Sequence, residues 1–180
     1  MRKRLTLVCL MIISMALFFP VGLRAERCIS IQPAATVAAI DALFSLEVAV
    51  NDTVISLMGY NITIAYDDSY LEIVNVKEGS LLKNSGEATF FGWLNRGCDC
   101  DSILVNGSIL GATVNGPGTL FTMTFKAIKL GSVDVVIQRS DIRDGNNQKL
   151  SHRREHATVK IEQPIGTEKS TWSGVKYLYR

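Results

Sequence analysis

The feature that most constrains this fold is a strict alternation of apolar and small or polar residues in short stretches. The clearest case is residues 58–66, where Met58, Tyr60, Ile62, Ile64 and Tyr66 alternate with Gly59, Asn61, Thr63 and Ala65. A period of two is typical of a β-strand that has one face in a core and the other in water. Residues 42–50 alternate in the same way, with Phe44, Leu46, Val48 and Val50 on one face. No stretch before residue 163 keeps a helical period, so the sequence predicts an all-β fold.

Turn residues separate these stretches at the spacing of a β-sandwich. Turn residues occur at Asp67-Asp68, Glu78-Gly79-Ser80, Asn115-Gly116-Pro117-Gly118 and Asp144-Gly145-Asn146-Asn147, and Gly and Asn tolerate the positive φ angles that tight reversals need. Between the turns, nine strands are predicted, at residues 28–32, 42–50, 58–66, 71–76, 88–94, 102–110, 119–130, 133–139 and 157–161.

The first 25 residues have the pattern of a secretory signal peptide. Three basic residues precede an apolar run over residues 5–19, Pro20 and Gly22 then break any helix, and Ala25 is a small residue at the cleavage point. The apolar run is too short for a membrane span. We therefore predict a signal peptide at 1–25, a sandwich domain at 26–162, and a linker with a short tail at 163–180.

Removal of the signal peptide changes the charge of the chain. The peptide holds four basic residues and no acid, so 19 − 4 = 15 basic residues remain against 17 acidic ones, and the formal net charge becomes 15 − 17 = −2. Such a chain lacks the basic surface that nucleic-acid binding requires. We expect no nucleic-acid partner and no membrane span after cleavage.

The residues that bind zinc best do not form a zinc motif here. The candidates are Cys98, Cys100, His152 and His156, with Cys28 in reserve. Cys-x-Cys differs from the usual zinc knuckle, and the two histidines lie in a polar, Arg-rich stretch that leads into a strand. The sequence therefore predicts no metal and no cofactor.

Other chemical motifs are also weak. In residues 140–151 the Asp-Gly order suits a calcium loop, but Ile142 occupies a ligand position, so a plain turn is favoured. No nucleophile motif accompanies the histidines. Two acid pairs suit glycosidic chemistry, but both fall at turns, where Asp caps backbone groups: Asp67 with Asp68, and Asp99 with Asp101. We expect a protein that is not an enzyme.

Several motifs resemble those of the cohesin domain. GYNITIAYDDSYLEIVNVKEGSL, at residues 59–81, resembles the cohesin segment in which a strand ends in Tyr-Asp and the next opens on a Leu-Glu pair before Glu-Gly-Ser. ISIQP at 29–33, VAVND at 48–52, TLFTMTFKA at 119–127 and the segment 141–147 are similar to other parts of the family, and the resemblance covers residues 28–162. It implies a nine-stranded jelly-roll sandwich that binds dockerin modules of other secreted proteins, including polysaccharide-degrading enzymes.

The resemblance also implies a binding face, on the sheet that contains the third, fifth, sixth and eighth strands. The family's outward Asp or Asn of the third strand falls on Asn61, whereas a second polar position falls on Gly59. The alternation places Thr63 outward beside Asn61. Asn106 and Ser108 are the candidates from the sixth strand.

Two further functions stay open, a carbohydrate-binding module on a similar sandwich and a structural envelope protein. Sugar-binding faces usually present exposed aromatic rings, and the candidates are Phe90, Phe91, Trp93 and Tyr70. The alternation puts Phe91 and Trp93 on one face of a strand and Phe90 on the other. We expect the core to take most of these rings.

The predicted export has consequences for the cysteines and the tail. Export would place the protein in a periplasm, at the cell surface or in the medium. Disulfides persist in these compartments, and the candidate pair is Cys28 with Cys98 or Cys100. The tail at 171–180 mixes Trp, Tyr and Leu with basic residues after a polar linker. We expect it to serve in export, anchoring or assembly and to contribute little to the stability of the domain.

Overall fold

The computed structural model describes residues 26–96 and 101–164, and most of this part of the chain is β-strand. It contains eleven strands and one short helix. In chain order these are β1 (Cys28–Gln32), β2 (Ala35–Ala39), β3 (Leu43–Val50), β4 (Leu57–Ala65), β5 (Leu71–Glu78), α1 (Ser80–Lys83), β6 (Thr89–Asn95), β7 (Ser102–Ile109), β8 (Gly118–Ala127), β9 (Gly131–Asp144), β10 (Arg153–Glu155) and β11 (Ala157–Glu162).

The strands form two sheets that pack face to face. One sheet has the order β10-β1-β3-β8-β5, and the other has the order β2-β11-β9-β4-β7-β6. Most neighbours are antiparallel, and the two parallel pairs, β1 with β10 and β2 with β11, lie at sheet edges. The prediction of an all-β jelly-roll sandwich is confirmed.

The core lies between the sheets and consists of the inward residues that the alternation predicted. Leu46 and Val48 of β3 and Ile62 and Ile64 of β4 are fully buried. Two phenylalanines of β8 contact rings from both sheets. Between ring centroids, Phe121 stacks 5.9 Å from Tyr60, and Phe125 stacks 5.9 Å from Phe44 and meets Tyr66 edge-to-face at 5.2 Å. These contacts fix which face of β4 points outward.

The observed strand number differs from the predicted nine. The two additional strands are β2 and β10, and both are edge strands. All three residues of β10 are exposed, and β2 is Ala-rich, with Val37 pointing into solvent at 67% exposure. Strand β10 buries no residue and β2 buries only the small Ala38, so neither carries the apolar alternation from which strands are predicted.

Strand β9 is longer than predicted, because it runs from Gly131 to Asp144 and the prediction ended at residue 139. The last strand, β11, ends at Glu162, and the linker predicted from residue 163 onward stays a prediction. The predicted signal peptide and the tail from residue 165 onward lie outside the described residues and stay predictions.

Among residues 26–96 and 101–164, no helix has the length and apolar character needed to cross a membrane.

Candidate functional site

The predicted third, fifth, sixth and eighth strands are β4, β6, β7 and β9, and they lie side by side in the order β9-β4-β7-β6. The side of these four strands that points away from the core is called the outer face below. The register arranges its side chains in three rows that cross the strands. Listed from β9 to β6, the first row is Arg143, Gly59, Ser108 and Phe90. The central row is Asp141, Asn61, Asn106 and Gly92. The third row is Arg139, Thr63, Leu104 and Leu94.

The central row brings two predicted site residues into contact. Asn61 and Asn106 are register partners, and Asn61 Nδ2 donates a hydrogen bond to Asn106 Oδ1 at 2.6 Å. On the other side of Asn61 stands Asp141, whose Oδ2 accepts from Arg143 Nη2 at 3.1 Å. Asp141 Oδ1 is buried and has no hydrogen-bond partner in the described part of the chain. A buried acceptor without a donor costs free energy, so a hydrogen-bond donor from a partner is favoured at Asp141 Oδ1.

The first row is held by a turn that follows β9. Arg143 Nη1 donates to the backbone oxygen of Asn147 at 3.0 Å. At Gly59, a Cβ atom would stand 3.2 Å from the carbonyl oxygen of Gly107 and 3.4 Å from Ser108, so the glycine leaves this row shallow. The predicted residue Ser108 lies here, half-buried, and its hydroxyl donates to its neighbour's carbonyl at 3.4 Å.

The third row contains Thr63, which is outward in register but only 7% exposed. This corrects the expectation of a solvent-facing residue, because Arg139 on β9 and Leu104 on β7 flank it on both sides. A register shift between Thr63 and Ile64 marks a β-bulge at Gln138 in β9. Such bulges re-aim side chains, here that of Arg139.

All residues of these rows except Gly92 and Leu94 line a concave depression of about 690 Å³. Its β6 side presents Phe90, which is 60% exposed, and Leu94 lies on the same face of β6 with 57% exposure. Its β9 side carries charged groups. The depression is therefore amphipathic, with an amide pair in its centre.

The aromatic candidates are distributed differently from the expectation that most are buried. Phe91 packs on the core, as expected, and Tyr70 is half-buried with the Lys129 ammonium 4.4 Å from its ring centroid. Trp93 is 38% exposed, on the core side of β6, an edge strand that pairs only with β7 among the described strands. Phe90 is thus the one exposed aromatic ring of the outer face in the described residues.

Both candidate zinc-binding histidines hold structural hydrogen bonds. His156 Nδ1 accepts from the backbone N–H of Ile137 at 3.0 Å, next to the bulge. His152 Nδ1 donates to the carbonyl of Leu150 at 2.7 Å, and its Nε2 lies 2.6 Å from Ser140 Oγ. Cys98 and Cys100 lie outside the described residues.

Cys28 is buried at the start of β1. Burial, together with the negative charge of Glu155, raises the pKa of its thiol. Its predicted disulfide partners lie in the segment 97–100, so the pairing stays a prediction.

The acids at turns behave as turn residues. Asp67 Oδ1 accepts from the backbone N–H of Ser69 at 2.9 Å, and these Ser69 bonds lower the pKa of Asp67. Asp68 and Asp101 stand close by, and all three are exposed; desolvation and the charge of Asp68 raise the pKa of Asp101. Asp99 lies outside the described residues.

The candidate calcium loop is a strand end followed by a turn, as expected. Ser140 and Ile142 are buried within β9. Asp144 Oδ1 caps the turn by accepting from the N–H groups of Asn146 and Gln148 at 2.9 and 2.8 Å.

Three charged residues of the site, Arg139, Asp141 and Arg143, were missed from the sequence. The signal was present, because they alternate with Ser140 and Ile142 at the period of a strand. The bulge at Gln138 hides it: inward residues are odd-numbered up to Ile137 and even-numbered from Ser140 onward.

Comparison with known proteins gives one family. The sequence model of the Cohesin domain matches residues 29–162. No curated protein matches the chain.

Three solved structures illustrate the similarity of fold. A non-cellulosomal cohesin from the hyperthermophilic archaeon Archaeoglobus fulgidus is 18% identical with a TM-score of 0.64, covering 87% of this chain and 100% of its own. A type II cohesin domain from the cellulosome of Acetivibrio cellulolyticus is 14% identical with a TM-score of 0.65, covering 74% and 95%. A type I cohesin–dockerin complex from Clostridium thermocellum contains a chain that is 15% identical with a TM-score of 0.61, covering 76% and 99%.

Proposed function

Because this chain belongs to the cohesin domain family, we propose that its outer face binds a dockerin module of another protein. Cohesin domains are non-catalytic protein–protein interaction modules, so the chain is not an enzyme. The observation that carries the proposal is the Asn61–Asn106 pair, which lies at the centre of a depression on the sheet where the resemblance implies binding.

The amide pair leaves polar groups for a partner. Asn61 Nδ2 and Asn106 Oδ1 bond to each other, whereas Asn61 Oδ1 and Asn106 Nδ2 have no hydrogen bond within the described residues. An acceptor and a donor therefore remain side by side. A partner that covers them must pair both, because an unpaired buried amide costs about 1 to 3 kcal/mol.

The rest of the outer face suits a protein partner better than a polysaccharide. Phe90 and Leu94 supply exposed apolar area beside the polar rows, and protein interfaces combine such anchors with hydrogen bonds. Sugar-binding faces usually present several exposed rings, and the described part of this face offers Phe90 alone. The comparisons likewise include cohesin–dockerin complexes.

The setting of this binding is outside the cytoplasm. The predicted signal peptide at 1–25 supports export, and the dockerin partner is expected on a secreted protein that acts on polysaccharide. Amino-terminal sequencing of the exported protein tests this: a mature chain that begins at Glu26 is expected, and an uncleaved chain retained in the cytoplasm contradicts it.

The binding proposal is tested by pull-down with dockerin-bearing proteins, with insoluble polysaccharides as the competing ligand class. Titration calorimetry with the dockerin that binds then measures variants. Asn61→Ala and Asn106→Ala should each weaken binding by about 1 to 3 kcal/mol, or roughly 5- to 150-fold, and leave the urea midpoint nearly unchanged.

A matched control lies on the opposite side of the sandwich. Ser45 and Thr124 are a hydrogen-bonded polar pair across β3 and β8, with their hydroxyl oxygens 3.2 Å apart and exposed. Ser45→Ala and Thr124→Ala should leave affinity unchanged. Loss of affinity in the control pair, with none in Asn61→Ala and Asn106→Ala, contradicts the proposed face.

A further inference from the structure

We propose that Arg96, Arg139 and Thr63 form a subsite that receives a carboxylate side chain of the partner. This inference rests on the proposed dockerin binding and adds the chemistry that selects the partner. The subsite lies at the end of the depression where β6 and β4 finish and where the bulge of β9 stands.

The two arginines flank the floor of this end. Arg139 belongs to the row of Thr63, Leu104 and Leu94. Arg96 follows β6, where its N–H donates to the carbonyl of Ser102 at 2.8 Å. Strands β9 and β6 are separated by β4 and β7, so the two backbones stand about 14 Å apart at the usual strand spacing, and both side chains line the space between them.

Neither of these arginines has an acidic partner among residues 26–96 and 101–164. The other arginine of the depression, Arg143, is neutralised by Asp141 and bonded to Asn147. Asp144, the second acid lining the depression, is occupied in capping its own turn. Within the described residues the positive charge of Arg96 and Arg139 is therefore uncompensated, and this end of the depression is cationic.

The backbone holds Arg139 in place through the bulge. A bulge leaves ladder groups unpaired, and Arg154 Nη1 donates to the carbonyl of Gln138 at 2.6 Å. The N–H of Ile137 is satisfied by His156. The segment around β10 thus fixes the strand from which Arg139 projects.

The chemistry of the three groups selects a carboxylate. Arg guanidinium groups pair with carboxylates in bidentate geometry, and the Thr63 hydroxyl has no hydrogen-bond partner within the described residues. Leu104 lies beside Thr63 on β7 and lines the same space. A dockerin with Asp or Glu at the facing position is favoured, and one with Lys or Arg there is repelled.

A displayed library of dockerin modules, randomised at surface positions, tests this directly. Selection against the wild-type protein should enrich Asp or Glu at one position. Selection against Arg96→Gln/Arg139→Gln should lose that enrichment, and Arg139→Glu should enrich Lys or Arg instead. Selected acidic clones should bind the double variant about five- to tenfold more weakly than the wild type.

A matched control removes two exposed lysines of the opposite sheet and α1, in Lys77→Gln/Lys83→Gln. The same net charge is lost, and the acidic enrichment should persist. Two results would overturn the subsite and leave dockerin binding intact. One is an equal loss of the acidic enrichment in this control, and the other is a set of clones that bind through Asn61 and Asn106 without acidic preference. A library without a single binding clone overturns both.

Discussion

The substitution Gly107→Ala tests the packing that positions the outer face. Gly107 of β7 lies opposite Tyr60 of β4, on the core side. A Cβ atom at residue 107 would stand 2.4 Å from Cζ of that ring and 2.5 Å from both Cε1 and Oη. The ring is held on its other side, because it stacks on Phe121 and its hydroxyl donates to the carbonyl of Leu120 at 3.0 Å. It is 5% exposed and has no free space to enter.

The magnitude follows from this overlap. Normal carbon contacts begin near ~3.5 Å, so the added methyl group is about 1 Å too close. Overpacking costs about 1 to 3 kcal/mol, and a ring held on both sides places this case near the upper limit. Ala in a strand recovers about 0.5 to 1 kcal/mol relative to Gly. We expect a net loss of about 2 kcal/mol in the free energy of unfolding.

Urea unfolding followed by tryptophan fluorescence measures the loss, with Gly92→Ala as the control. Gly92 is the neighbouring glycine on β6, and its Cβ would meet only the Phe90 ring, at 3.7 Å, so stability should be unchanged or rise by up to about 1 kcal/mol. In a Tyr60→Leu background the Gly107→Ala penalty should shrink. Equal stability of Gly107→Ala and Gly92→Ala would refute the packing described here.

Three further predictions concern stability and covalent structure. Burial, with the charges of Asp68 and Asp101, raises the pKa of Tyr66 to about 12. The folded state therefore keeps a proton that the unfolded chain releases at about pH 10, so the free energy of unfolding should fall as pH rises from about 10 to 12. The decrease should be less steep in Tyr66→Phe, and an equal slope in both proteins argues against this cause. Deletion of residues 167–180 should leave the urea midpoint unchanged, and a large decrease would show that the tail belongs to the domain. Non-reducing peptide mapping of exported protein should find Cys28 joined to Cys98 or Cys100, and three free thiols would exclude the disulfide.

The sequence predicted best where a strand is central and buries one face. β4 has neighbours on both sides and the core beneath, so burial requires Ile62 and Ile64 inward and Asn61 outward. The same argument fails for the edge strands β2 and β10, because a strand can pair at a sheet edge through its backbone without an alternating apolar pattern.

The composition of the site was predicted only in part, because register is a long-range property. Alternation placed Asn61 and Asn106 outward, but their hydrogen bond depends on the pairing of β4 with β7, which no local pattern encodes. The charged side of the depression was missed because the bulge at Gln138 shifts the inward positions by one residue. Bulges of this kind break the periodicity from which faces are predicted.

The most direct measurement of the central claim is an NMR titration of the isotope-labelled protein with a dockerin that it binds. Side-chain amides are observed individually, so Asn61 and Asn106 report on the centre of the outer face themselves. We predict that their Nδ2 resonances shift together with the backbone amides of Asp141 and Arg143, and that Ser45 and Thr124 stay unchanged. Shifts at Ser45 and Thr124 with unmoved Asn61 and Asn106 resonances would contradict the account, because the partner would then bind the opposite sheet.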